Sequence, residues 1–151
     1  MLVYDNINNN GSSFNTSFRS GNGKAFVQAY ATSGMVANTP YAIQLMGSGY
    51  NATILAASIW AYVGVPERVT ASGCVGWVQI RGEVNDVQFG TADASGPAGH
   101  SVFWGAAALG ASSSIPAYNP VIGQVGCLLE TVDESTTANI WLAGMWATPK
   151  A

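Results

Sequence analysis

The sequence predicts an all-β protein: a single β-barrel or β-sandwich domain with an extended N-terminal arm. Three observations carry that expectation. From residue 23 onward, short runs rich in Val, Ile, Thr and aromatics alternate with Gly, Asn, Pro and Ser, the punctuation of strands and turns rather than helices. Two windows of equal length, VGVPERVTASGCVGWVQIRG (63–82) and VGCLLETVDESTTANIWLAG (125–144), share a layout of strand, polar turn and strand, as similar β-units of a barrel or sandwich would. Finally, 151 residues suffice for one domain. A chain of that size buries about 70% of the surface it exposes when unfolded.

Residues 1–23 form the arm. Their composition, NNNGSSFNTSFRSGNG through the latter part, cannot build a core of its own. Tyr4, Phe14 and Phe18 are nevertheless odd in a mere tether and, with Arg19, are candidate anchors on a partner; a disordered terminus is the competing reading. Residues 24–151 form the β-domain, with strands expected at 25–31, 41–46, 53–57, 60–65, 75–81, 87–89, 101–104, 121–129 and 138–146. GSGYN (47–51) reads as the hairpin loop between the second and third of these. Only ATILAASIWAY (52–62) has helix-compatible spacing, and its β-branched residues and flanking glycines favour strand. Within the two similar windows, Gly64 matches Gly126, Val78 matches Ile140, Ile80 matches Leu142 and Gly82 matches Gly144.

The run GCVGWVQIRGEV (73–84) contains the most informative strand. Alternation turns Val78, Ile80 and Val84 inward and sets Val75, Trp77, Gln79, Arg81 and Glu83 on the opposite face. An aromatic and an amide followed by Arg and Glu suit a face covered by another chain. In the later unit Ile140 and Leu142 point inward, Trp146 shares their parity, and Trp141, Ala143 and Met145 point outward. Trp77 and Trp141 therefore fall on comparable outer faces, with burial in a sandwich core as the alternative for either. The candidate interface residues, toward another chain or subunit, are Tyr4, Phe14, Phe18, Arg19, Trp77, Gln79, Arg81 and Trp141.

Composition narrows the function. Charged residues make up 9% of the chain, against about 25% in an ordinary soluble domain. Such a surface stays soluble through Ser, Thr, Asn and Gly or is covered by neighbouring subunits, and an oligomer is expected. Five Lys and Arg against eight Asp and Glu supply no basic patch, so nucleic acid is not an expected partner. The start lacks a basic stretch followed by an apolar one, and no apolar run is long enough to cross a bilayer. Synthesis in the cytoplasm and no membrane partner are expected. Cys74 and Cys127 lack zinc-ligand spacing; a disulfide is open, and buried thiols are the commoner outcome.

Catalytic patterns are sparse. His100, the single histidine, lies in SGPAGHS without a G-x-S-x-G elbow and reads as a loop residue of no chemical role. There is no HExxH, and GSG and GNGK lack the P-loop spacing. Glu83, Asp86 and Glu130 lie on or beside strands where two could face each other as in a glycosidase. Solvated or arginine-paired carboxylates are the commoner case, and Asp133 and Glu134 read as solvated turn residues. Neither Asp86 with Asp93 nor the DEST turn has calcium-ligand spacing. The chain is expected to be no enzyme, with no cofactor and no metal.

The succession IWAYVGVPERVTASGCVGWVQIRGEV (59–84) followed by IGQVGCLLETVDESTTANIWLAG (122–144) resembles the β-rich head decoration, or cement, proteins of tailed bacteriophages. Those carry a Gly-Trp-Val-Gln-like strand and a later Ile-Gly-x-x-x-Glu-like strand leading through a turn to Leu-x-Gly. The likeness covers roughly residues 60–146. It implies a virion structural protein on the outer capsid surface, often trimeric, that bridges major capsid protein subunits and stabilises the shell. The stretch TADASGPAGHSVFWGAAALGASSSIPAYNP (91–120) departs from that family, replacing a short Gly-Asp hairpin with a longer Ala- and Ser-rich excursion. The alternative function is a carbohydrate-binding β-sandwich module, on the virion surface or elsewhere, in which Trp60, Trp77, Trp104 or Trp141 stacks on a host-surface glycan. A head-tail connector or tail component is the third reading.

Overall fold

The computed structural model describes residues 3–6, 17–47, 49–56, 61–90, 94–104, 108–111, 124–144 and 146–147. Every regular element among them is a strand, as the alternation predicts. The strands are β1 (Val3–Asn6), β2 (Ser17–Gly21), β3 (Lys24–Ala31), β4 (Tyr41–Met46), β5 (Gly49–Ile54), β6 (Ala61–Pro66) and β7 (Val75–Gln88). They continue with β8 (Ala94–Gly96), β9 (Ser101–Trp104), β10 (Leu109–Ala111), β11 (Gln124–Leu128), β12 (Val132–Ser135), β13 (Thr137–Ala143) and β14 (Trp146–Ala147).

Five strands close into a barrel. Going round it, β3 pairs β5 in parallel, and β5–β4, β4–β6, β6–β7 and β7–β3 are antiparallel. Past the barrel, β7 pairs β13, and β13, β11, β9 and β10 extend the same sheet, while β8 and β12 form a small ladder of their own. The 12-stranded order is β1-β2-β3-β5-β4-β6-β7-β13-β11-β9-β10, with β14 on β6.

The result is two apolar cores. The barrel holds Ala25, Val27, Ala29, Ala31, Met35, Tyr41, Ile43, Ala52, Val78 and Ile80. Five strands leave a narrow interior, and the alanines of β3 and β5 fit it. The second core gathers Val84, Val87, Trp104, Leu109, Leu128, Ile140 and Leu142 against Ala42, Ala61, Val63 and Val65 from β4 and β6. β6 therefore has apolar contacts on both faces, which is why AYVGVP reads as an unbroken apolar run instead of an alternating one. Gly64 sits in this dividing wall, where a Cβ would lie 2.5 Å from Val78 Cγ1 and 2.6 Å from Ile43 Cγ1.

β7 serves both cores because it bends without breaking. The expected strands 75–81 and 87–89 are one element. Its first half lines the barrel through Val78 and Ile80 and its second half enters the other core through Val84 and Val87. Gly82, at φ 94°, makes the first bend. A side chain there would also meet the backbone oxygen of Gly23 at 2.6 Å. At the second bend Asn85 and Asp86 face the single residue Asn139, a bulge that turns both Val84 and Val87 inward. Asp86 takes φ 53°, and its N–H donates to Asn139 Oδ1 at 3.0 Å.

The two similar windows pair in one register. Val65↔Gln79 and Pro66↔Val78 in the first correspond to Cys127↔Trp141 and Leu128↔Ile140 in the second. The matched Gly82 and Gly144 both have positive φ, at 94° and 68°. The windows differ in their turns, since the second contains β12.

Some expected boundaries move. β5 begins at Gly49, so the loop expected over 47–51 is shorter; Gly49 at φ 134° allows the tight reversal after β4. The arm contributes β1 and β2, which pair with each other, and β2 continues onto β3 through Phe18↔Val27 and Arg19↔Phe26. Cys74 is exposed and Cys127 half-buried, and both are free thiols. This corrects the buried-thiol expectation at Cys74. Cys74 precedes the first residue of β7, whereas Cys127 lies across from Trp141, which itself pairs Glu83 in the second half of that strand.

Candidate functional site

Inward-facing residues of the barrel fix what points outward. On β3 the odd-numbered positions fill the core, so Gln28 and Tyr30 face out; Ala52 points in from β5, leaving Asn51 outside. Tyr41 and Ile43 point in from β4, which puts Gln44 and Met46 outside. Register joins these into one row: Trp77 lies across from Gln28, Tyr30 across from Asn51, and Asn51 across from Gln44. The row crosses β7, β3, β5 and β4 without a charged side chain. Tyr30 is 43% exposed and Met46 48%, with the amides and Trp77 half-buried.

The adjoining end of the barrel is apolar. Tyr30 pairs Val75 there. The bridge Met35↔Thr70 brings Val36 and Val69 alongside each other, 58% and 73% exposed. A groove opens between these features because the β6–β7 ladder stops at Pro66↔Val78. Proline has no N–H to carry it further, and residues 67–70 leave to pair with Met35. Glu67, Arg68, Val69, Thr70, Gly76 and Trp77 line this groove, which has a volume of about 350 Å³.

The sequence-predicted residues distribute unevenly over this geometry. Trp77 joins the row and the groove. Gln79 does not face a partner: it is 1% exposed, and its Nε2 donates to the carbonyls of Arg81 at 2.9 Å and Glu83 at 2.8 Å. That corrects the interface expectation, because the side chain is spent holding the bend at Gly82. Arg81 is exposed beside Gly144. Trp141 is 39% exposed with its ring edge close to the Asn22–Gly23 turn. Trp77 lies on the barrel half of β7, whereas Trp141 lies on β13 across from Glu83 beyond the Gly82 bend, so the two form separate surfaces. Tyr4, Phe18 and Arg19 stand on β1 and β2, while their side chains, and Phe14 and Trp60 altogether, lie outside the described residues. The side chains of Met145 and Trp146 lie outside them as well. Trp104 is fully buried in the second core and cannot stack on a sugar.

Sequence reasoning missed Gln28, Tyr30, Gln44, Met46 and Asn51. The signal was present in the Gln28-Ala-Tyr30 portion of KAFVQAYA and the Gln44-Leu-Met46 portion of YAIQLM, whose outward positions carry no charge. It also missed residues 67–70, although the proline before them marks where the ladder ends.

The remaining polar groups have local duties. Glu130 Oε1 accepts the Asn139 N–H at 2.8 Å, so this carboxylate supports the bulge rather than facing a second acid. His100 packs its ring against Gly96, and its buried Nδ1 has no hydrogen-bond partner among the described residues. No group of three His, Cys, Asp or Glu side chains able to hold a metal occurs among the described residues. Burial pushes the Tyr50 hydroxyl above its usual range, and neighbouring Tyr62 adds to the effect. In comparisons with known proteins, no family model, curated protein or solved structure matches the chain.

Proposed function

We infer that this chain is a structural virion protein that decorates a phage head, bridging major capsid protein subunits on the outer surface and associating with copies of itself, as a homotrimer. The observation that supports this reading is the uncharged row from Trp77 through Gln28, Tyr30, Asn51 and Gln44 to Met46. Interfaces are depleted of charge at their centres and enriched in aromatics and Met. Here two aromatic anchors stand among amides that can bond to a partner's backbone, and no ion has to be stripped of water. The apolar barrel end beside the row adds area of the same kind. Many copies on a lattice multiply modest contacts, since each bridged neighbour raises the effective concentration of the next. No catalytic step is assigned.

The test places charges in the row. Size-exclusion chromatography with light scattering and co-sedimentation with phage heads lacking their decoration are run on the wild type and on the Tyr30→Glu/Gln44→Lys double variant. Wild-type trimers that bind heads, and a folded double variant that does neither, are expected. A wild type that stays monomeric and leaves the heads bare overturns the reading. Substitution is a cleaner test than deleting residues 1–23, because β2 is hydrogen-bonded into the sheet.

A further inference from the structure

We propose that the groove between residues 67–70 and the start of β7 is a binding site for a neutral saccharide, with Trp77 as the stacking surface and Glu67, Arg68 and Thr70 as hydroxyl-bonding groups. Its volume of about 350 Å³ lies near the lower end of the range for small-molecule sites, about 300–1,000 Å³. That is room for a short sugar chain and too little for a dinucleotide cofactor.

The lining selects the ligand class. Trp77 offers an indole with an apolar body and one polar edge, the combination that meets the C–H face of a pyranose while its rim stays wet. Glu67 accepts and Arg68 donates, in a fixed fork geometry, so hydroxyls find both kinds of partner. The two charges oppose each other within one wall, and the chain as a whole carries a net charge of −3. A phosphate or sulfate therefore meets no net positive field. A lipid tail would strand the carboxylate and guanidinium.

The floor is already in place before any ligand arrives. Met35 and Thr70 exchange backbone hydrogen bonds of 2.8 and 2.9 Å. Thr70 packs its hydroxyl onto Gly76, where a Cβ would collide with it and lie 3.0 Å from Met35 Cε. Gly76 in turn pairs Ala29 in the barrel. A rigid floor spares the ordering cost that weakens sugar binding to mobile loops.

This site shares Trp77 with the association row, so the experiment is run on the full chain both as wild type and as Tyr30→Glu/Gln44→Lys, in which no second copy covers that ring. Maltotriose, cellotriose, chitotriose and galactobiose are titrated at millimolar concentration by calorimetry and by ¹H–¹⁵N NMR. At least one is expected to bind the double variant and to shift its Trp77 indole N–H, and to bind the wild type no more tightly, because self-association competes for the same ring. Trp77→Ala and Glu67→Gln are each expected to weaken it by about tenfold. Should Trp77→Ala fail to fold, Glu67→Gln and Arg68→Ala decide, since both residues lie on the exposed rim. The proposal is overturned if none of the four sugars binds, if binding survives these substitutions, or if only a sulfated or phosphorylated saccharide is taken up.

Discussion

Replacing Gln79 tests how one strand serves two cores. Its amide donates to the Arg81 and Glu83 carbonyls on either side of the Gly82 bend. Gln79→Met keeps the length of the side chain and removes both donors. Each hydrogen bond contributes about 0.5–1.5 kcal/mol net, so the loss should be about 1–3 kcal/mol. Gln79→Ala also leaves a void in a site that is 1% exposed, raising the loss to about 2–5 kcal/mol. Gln79→Glu is the sharpest variant, because it sets a carboxylate against two carbonyl oxygens. Burial and those oxygens favour its protonated form, so the folded state binds more protons than the unfolded one between the two pKa values. Stability of this variant must then fall as pH rises from acid to neutral, relative to Gln79→Met. Urea unfolding followed by tryptophan fluorescence measures all three. A loss below about 0.5 kcal/mol for Gln79→Met, with an unchanged denaturant slope, would refute the claim that this amide holds the bend.

Other predictions follow from the same packing. Gly126→Ala should destabilise more than Gly64→Ala although the two positions match, because a Cβ on Gly126 collides with the Trp141 backbone oxygen while one on Gly64 meets movable side chains; thermal melts of the two variants check the order. Asn139→Ala removes the acceptor for the Asp86 N–H and should cost about 1 kcal/mol in urea unfolding. Tyr50 has a raised folded-state pKa, so its contribution is complete below the unfolded value near 10 and is lost as pH climbs through the folded one. Tyr50→Phe should flatten that alkaline decline, as read from melting temperature against pH.

The strand class and most strand positions were legible because alternation and glycine punctuation are local. The pairing of 63–82 with 125–144 was legible too, through residues that now prove to share one register. What escaped was set by tertiary context. Val78, Ile80 and Val84 were read as one inward face, and the parity was right, yet Gly82 delivers the first two to the barrel and the third to another core. Gln79 had outward parity, and no local pattern announces that its amide turns back onto its own backbone. Tyr30 and Gln44 come together only because β5 enters the barrel parallel to β3. Such a non-local crossover leaves no periodic trace.

β6 and β7 each belong to both hydrophobic clusters, and this has a calorimetric consequence. Neither half can melt while the other persists, because whichever goes first takes a wall of its neighbour with it. Heating should accordingly produce one endotherm whose van't Hoff and measured enthalpies agree, and hydrogen exchange along both strands should proceed only through global opening. A particle coated with such subunits would lose its coat abruptly, over a few degrees, rather than by gradual fraying.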